Sequence, residues 1–292
     1  LNKLSHRLAL GTVQFGLPYG IANRTGQVMR SEAKNMLKLA LENDIDTLDT
    51  AIGYGESEMC LGEVSTHGFK LITKLPMVPA GCLDVSGWAQ EQISASCHRL
   101  GVERVYGLLL HSSSDLFGPC GKQLNQALKY LKRSGLVEKT GVSIYDPSEL
   151  DAIAKLFRPD IIQAPLNLVD RRLLNSGWLQ RLKADGVEIH VRSAFLQGLL
   201  LMPRANIPQK FERWSELWNK WNDWLAEHKI PAVIACLLFP LSFPEIDRIV
   251  VGADSVEQLN ETINATNHAT LDLPELQCNS EDLINPSRWR SL

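Results

Sequence analysis

The stretch "TLDTAIGYGESEMCLGEV", Thr47 to Val64, decides how the chain reads. A short apolar run ends in a carboxylate, Asp49. Five residues later Tyr54 sits in a turn bounded by glycines, and a helical pattern follows at once. A strand that passes into a helix through a short polar turn is half of a βαβ unit.

Seven more apolar runs share this context. They are "RLALGTVQF" at 7–15, "FKLITKL" at 69–75, "VYGLLLH" at 105–111 and "EKTGVSI" at 138–144, then "DIIQAPL" at 160–166, "VEIHVRS" at 187–193 and "DRIVVGA" at 247–253. With "DTLDT" at 46–50 they make eight. Most are continuous rather than alternating, as in parallel strands covered on both faces. Helical patterns separate them. "SEAKNMLKLALEND" reads as a helix capped by Ser31, with Ala33, Leu37, Ala40 and Leu41 on one face. "VSGWAQEQISASCHRLG" stops at Gly101, and "KQLNQALKYLKRSGLV" aligns Leu124, Leu128 and Leu131. "DPSELDAIAKLF" opens on Asp146 and Pro147, and "RRLLNSGWLQRLKADG" and "DSVEQLNETINA" complete the later units.

Strand then helix, eight times, predicts a (β/α)8 barrel forming a single domain over residues 1–292. No G-x-G-x-x-G follows the first strand, which argues against an open dinucleotide-binding sheet. Trp214, Trp218, Trp221 and Trp224 recur at helical spacing and read as an apolar face packed on the barrel.

Composition narrows the function. Net charge is −3 and no basic run stands out, so neither nucleic acid nor a membrane surface is an expected partner. No stretch of 18 apolar residues offers a membrane span. Six scattered cysteines without a C-x-x-C pair read as free thiols, and the N-terminal residues lack a signal-peptide core, so the expected location is the cytoplasm. The seven histidines show no metal-ligand spacing with the cysteines, so no metal site is expected.

In such a barrel, reactive groups sit at the C-terminal ends of strands. Asp49 and Tyr54 follow strand two, Lys74 lies near the end of strand three, and His111 ends strand four. A lysine in the apolar "LITKLP" needs a counter-charge, and Asp49 is the natural candidate. An ammonium near a phenol favours phenolate and lowers its pKa, which makes Tyr54 a better proton donor. His111 is placed to orient a carbonyl oxygen. His190, two residues before Arg192, reads as a core residue of strand seven.

The segments "DTAIGYGESEMCLGE", "LITKL", "LLLH" and "VVGADSVEQLNETI" resemble the aldo-keto reductase superfamily across nearly the whole chain. The resemblance implies a barrel that binds NADP(H) and reduces an aldehyde or ketone, with Tyr54 as general acid tuned by Lys74 and Asp49, and His111 orienting the carbonyl. It also implies nicotinamide contacts from Thr12, Ser143, Gln163, Arg192 and Ser193, and an adenosine-phosphate clamp at Gly252, Ala253, Ser255, Gln258 and Glu261. Ile144 stands where the family usually has Asn. Arg192 stands where an aromatic ring is common, and it adds positive charge there. The clamp lacks the Lys or Arg that grips a 2′-phosphate, and Asp254 adds negative charge, so NAD(H) stays open beside NADP(H). The substrate mouth is expected in "HSSSDLFGPCGK" after strand four, in "GLPYG" at 16–20, and at Trp88. A nicotinamide-nucleotide-binding subunit without catalysis is the alternative function. Neither the carbonyl substrate nor the oligomeric state is legible.

Overall fold

The computed structural model describes residues 4–269 and 271–292. Each of the eight apolar runs coincides with one strand. They are β1 Leu8–Gly11, β2 Thr47–Asp49, β3 Lys70–Leu75, β4 Val105–Leu110, β5 Val137–Ser143, β6 Ile161–Pro165, β7 Glu188–Arg192 and β8 Arg248–Gly252. All pair in parallel, in chain order, and β8 closes on β1 with Gly11 opposite Gly252. Seven of the strands are one to five residues shorter than their runs, mostly because the run continues into the turn that leaves the barrel; β5 equals its run in length but starts one residue earlier. "RLALGTVQF" is strand only to Gly11; Val13–Phe15 then forms a 3-10 turn.

Continuous apolar strands are explained by burial on both faces. Outward-facing Leu48, Leu108, Ile162 and Ile189 pack under the helices. Inside the barrel, Ile72, Leu109 and Ile161 form a separate layer. Gly107 and Gly141 make room for it: a Cβ on Gly107 would lie 2.5 Å from the Ile72 side chain, and one on Gly141 would lie 2.1 Å from the Ile161 carbonyl oxygen. Near the N-terminal ends of the strands, Glu188 accepts hydrogen bonds from Tyr106 (2.8 Å) and Lys139 (2.5 Å) and pairs with His190 (2.7 Å). His190 is fully buried in this network, as a core residue.

The helices follow their patterns with three corrections. Ser31 lies inside the Arg30–Glu42 helix, whose N-cap is Met29, with no side-chain cap. Met36 rather than Leu41 completes its buried face, because Met36 falls between Ala33 and Ala40 on one stripe while Leu41 turns outward. The expected helix from "RRLLNSGWLQRLKADG" breaks at Gly177, which takes a left-handed φ of 73° between Arg172–Asn175 and Trp178–Ala184. Asp146 forms a capping box with Glu149 at the start of the next segment. In the Ser215–His228 helix, Trp218 and Trp221 are buried, and their indole N–H groups donate to the Phe211 and Leu200 carbonyls. The stripe is a packing face. Among the described residues no single helix is long and apolar enough to cross a membrane.

Candidate active site

Lys74, near the end of β3, reaches across to β2. Its Nζ donates to Asp49 Oδ1 at 2.6 Å and to the Thr50 carbonyl at 2.8 Å. The two side chains are 1% and 5% exposed, so the pair is desolvated and must be internally matched. Gln163 on β6 donates Nε2 to Asp49 Oδ2 at 2.7 Å, so both carboxylate oxygens are held. Burial pulls the Lys74 ammonium below its ordinary value, and the Asp49 charge opposes that pull.

Tyr54 lies over this pair, with Lys74 Nζ 5.2 Å from its ring centroid. His111 meets the ring edge-on, at 5.6 Å between centroids and 76° between planes. Tyr54 departs from the sequence expectation. Its phenol is pushed above the usual range, by burial first and by the Asp49 charge second. The Arg192 charge opposes this rise without reversing it. His111 moves the other way: burial, with the positive charges of Lys74 and Arg192, lowers it to about 4, which leaves the ring neutral at pH 7.

The turn carrying Tyr54 is tightly fixed. A Cβ on Gly16 would fall 1.9 Å from the Tyr54 carbonyl oxygen, so only glycine lets the β1 loop pass. Ser57 Oγ donates to the Thr12 carbonyl at 2.7 Å and shares a hydrogen bond with Thr50 Oγ1 at 3.0 Å. Thr12 Oγ1 donates to the Asp49 carbonyl at 3.1 Å. Glu58, 2% exposed, accepts from Thr73 Oγ1 at 2.6 Å and Ser96 Oγ at 2.5 Å, and from two Arg99 nitrogens at 2.8 and 2.6 Å. The Ser57–Val64 helix is thereby tied to the ends of β1 and β2, to β3 next to Lys74, and to the Val85–Leu100 helix. Ser57 and Glu58 escape a sequence reading because their partners are distant in the chain; the local signal is a Ser-Glu pair three residues after the phenol.

A cavity of about 530 Å³ opens above these groups. Asp49, Tyr54 and His111 line one end, and Gln258 and Glu261 line the other. Thr12, Ser143, Gln163, Arg192, Ser193 and Gly252 lie between. Three expected residues, Lys74, Ala253 and Ser255, do not line it. Lys74 lies behind Asp49, and Ser255 caps the Val256–Ala265 helix by accepting from Gln258 N at 3.3 Å. Thr12 lines the wall, but its hydroxyl is engaged with the ends of the strands.

Beyond His111, the loop after β4 does not line the cavity, and neither does Trp88. Ser113 is drawn to Glu149, and Asp115 accepts from the Val78 N–H at 2.9 Å. The expected segment "GLPYG" contributes through Tyr19 and Gly20. Tyr145, Phe195, Gln197, Leu201 and Val233 complete the rim. They come from loops whose convergence no local pattern encodes. Tyr19 and Gln197 meet through a 2.8 Å hydrogen bond.

At the β8 end two of the backbone donors are already paired with side chains. Val256 N–H donates to Glu32 Oε1 at 2.7 Å, and Asp254 N–H donates to Gln258 Oε1 at 2.9 Å. The Asp254 carboxylate accepts from Asn23 Nδ2 at 3.0 Å, and burial raises its pKa. Gln14 lines the same wall with its buried Oε1 unpartnered; a Cβ on Gly252 would lie 2.5 Å from its amide nitrogen. A buried amide acceptor without a partner, facing a bare glycine in a long cavity, fits an amide- and hydroxyl-bearing ligand such as a nicotinamide nucleotide. Among the described residues no group of three or more His, Cys, Asp or Glu side chains is placed to hold a metal.

Comparison with known proteins agrees with this geometry. An NADH-specific methylglyoxal reductase of Escherichia coli K12 is 24% identical over 89% of this chain and 90% of its own length. An uncharacterized oxidoreductase of Bacillus subtilis is also 24% identical, over 85% and 86%. Among solved structures, the holo form of an aldo-keto reductase from Bacillus halodurans superposes with a TM-score of 0.73, at 20% identity, covering 91% of this chain and 88% of that one. The model of the aldo/keto reductase family matches residues 7–277. This chain belongs to the aldo/keto reductase family.

Proposed function

We propose that the protein is an NADH-dependent carbonyl reductase in which Tyr54 is the general acid. The observation that carries this reading is the meeting of the Tyr54 phenol and a neutral His111 at one end of the cavity, over the buried Lys74–Asp49 pair. A bound dihydronicotinamide would supply hydride to the carbonyl carbon.

The chain's own residues handle the proton. Tyr54 stays protonated at neutral pH because its phenol is raised. It still suits the task, because the oxygen that receives the proton becomes an alkoxide, a far stronger base than a phenolate. Transfer is downhill only once the carbon is reduced. His111, neutral at pH 7, holds the carbonyl oxygen beside the phenol without competing as an acid. The Lys74–Asp49 pair fixes the strand ends beneath Tyr54 and leaves little net charge there.

Ser143, Gln163, Arg192 and Ser193 would hold the nicotinamide end, and Gly252, Gln258 and Glu261 the adenosine end. Gln163 Nε2 is engaged with Asp49, so its Oε1 remains for a carboxamide N–H. The preference for NADH rests on the β8 end. A 2′-phosphate would meet the Asp254, Glu32 and Glu261 carboxylates, with the Val256 and Asp254 N–H groups already taken. A free 2′-hydroxyl instead finds acceptors there. The NADH specificity of the Escherichia coli relative supports the same reading, and its methylglyoxal makes an α-oxoaldehyde a sensible first probe.

The test is parallel titration with NADH and NADPH, followed by a carbonyl panel that includes methylglyoxal. NADH should bind at least about tenfold tighter and be oxidised by an aldehyde. Tight binding with no oxidation by any carbonyl would refute the enzyme reading in favour of a nucleotide-binding subunit.

A further inference from the structure

We infer that Arg192 sets a preference between the redox forms of the cofactor, so that the cavity holds the reduced nucleotide more tightly than the oxidised one. This rests on the carbonyl reductase reading and adds directionality to it.

Arg192 ends β7 and lines the cavity with Tyr54 and His111. Only uncharged groups hold it. One guanidinium nitrogen donates to the Ile144 carbonyl at 3.0 Å, another to Ser193 Oγ at 3.3 Å, and the Tyr145 ring lies 4.8 Å away. Among the described residues it has no carboxylate partner, unlike Lys74, Arg99 and Arg172. The cavity wall therefore carries one unneutralised positive charge. Its reach is visible in its neighbours: it opposes the rise of Tyr54 and Tyr19 and contributes to the fall of His111 and Lys74.

Two departures from the family pattern thus form one device. Ile144 cannot offer an amide side chain, and its own side chain is fully buried, but its carbonyl anchors the guanidinium that replaces an aromatic ring.

The consequence follows from charge alone. The dihydronicotinamide ring is neutral and the oxidised ring carries +1. Hydride transfer needs reacting atoms about 3–3.5 Å apart, and Tyr54 must reach the oxygen of the same carbonyl. The ring that changes charge therefore lies within a few ångströms of Tyr54, inside the field of Arg192. A like charge at that range in a partly desolvated cavity is worth about a factor of ten in affinity. The oxidised form is repelled, so it leaves readily after reduction.

Quenching of tryptophan fluorescence gives Kd for NADH and NAD⁺ in the wild type, Arg192→Lys and Arg192→Met. The ratio Kd(NAD⁺)/Kd(NADH) should fall about tenfold in Arg192→Met and stay within about threefold of wild type in Arg192→Lys. The ratio is taken within one variant, so a partly unfolded population, which lowers both signals alike, cancels. An unchanged ratio in Arg192→Met, or the same fall in Arg192→Lys, overturns the inference. If the wild type reduces an aldehyde with NADH while the ratio stays fixed, the inference alone fails. If the wild type binds neither nucleotide, the reductase reading fails with it.

Discussion

Removing the ammonium of Lys74 should expose how much the site depends on a matched buried pair. In Lys74→Met the stem stays roughly filled, but the donors to Asp49 Oδ1 (2.6 Å) and to the Thr50 carbonyl (2.8 Å) are lost. Asp49 is left with Gln163 on one oxygen and nothing of opposite charge. Both side chains of the pair are at most 5% exposed, so water cannot replace the ammonium without opening the barrel end. Breaking one side of such a pair costs about 3–5 kcal/mol. Asp49→Asn should cost a similar amount by stranding the ammonium. The double variant removes both charges and should cost less than the sum of the singles by about 2 kcal/mol or more. Urea unfolding of the four proteins at pH 7, followed by fluorescence and circular dichroism, measures the cycle. A Lys74→Met cost below about 1 kcal/mol, or strict additivity in the double variant, would refute the claim that the pair is internally compensated.

Further consequences can be checked separately. His111 falls from 6.5 to about 4 on folding, so the unfolded chain binds more protons between these values. Stability from this group is complete above pH 6.5 and is lost as pH falls toward 4, by at most about 3 kcal/mol; His111→Gln should flatten that part of the urea midpoint against pH. Asp254→Arg combined with Glu32→Gln should tighten NADPH at least about tenfold while leaving NADH within a few-fold, read by parallel titration. Glu58→Gln weakens the tie to Arg99 and should lower kcat for an aldehyde while Kd for NADH holds; a change in Kd alone would contradict a role in positioning Tyr54 and Lys74.

The barrel is legible because its signal is repetitive and local. Eight apolar runs, each followed by a helix, leave few alternatives, and the strand ends point to Asp49, Tyr54, Lys74 and His111. The contacts that set the properties of these groups are not local. Gln163 lies 114 residues from Asp49, and Glu32 lies 224 residues from the N–H it accepts. The direction of the Tyr54 shift depends on burial and on how close the Asp49 charge lies, and neither is written in a one-dimensional pattern. The lining of the cavity rim is hidden from the sequence for the same reason. A polar loop after β4 looks available in sequence, but in the fold it is tied to Glu149 and Val78, while the Tyr19 and Gln197 loops converge on the cavity.

The central claim is that Tyr54 delivers the proton in a carbonyl reduction, and Tyr54→Phe tests it most directly. NADH oxidation by the best aldehyde of the panel is measured beside NADH binding in wild type and variant. Loss of about 10²–10⁴-fold in kcat, with Kd for NADH within twofold, is the predicted result. A Tyr54→Phe enzyme that turns over at the wild-type rate would contradict the account.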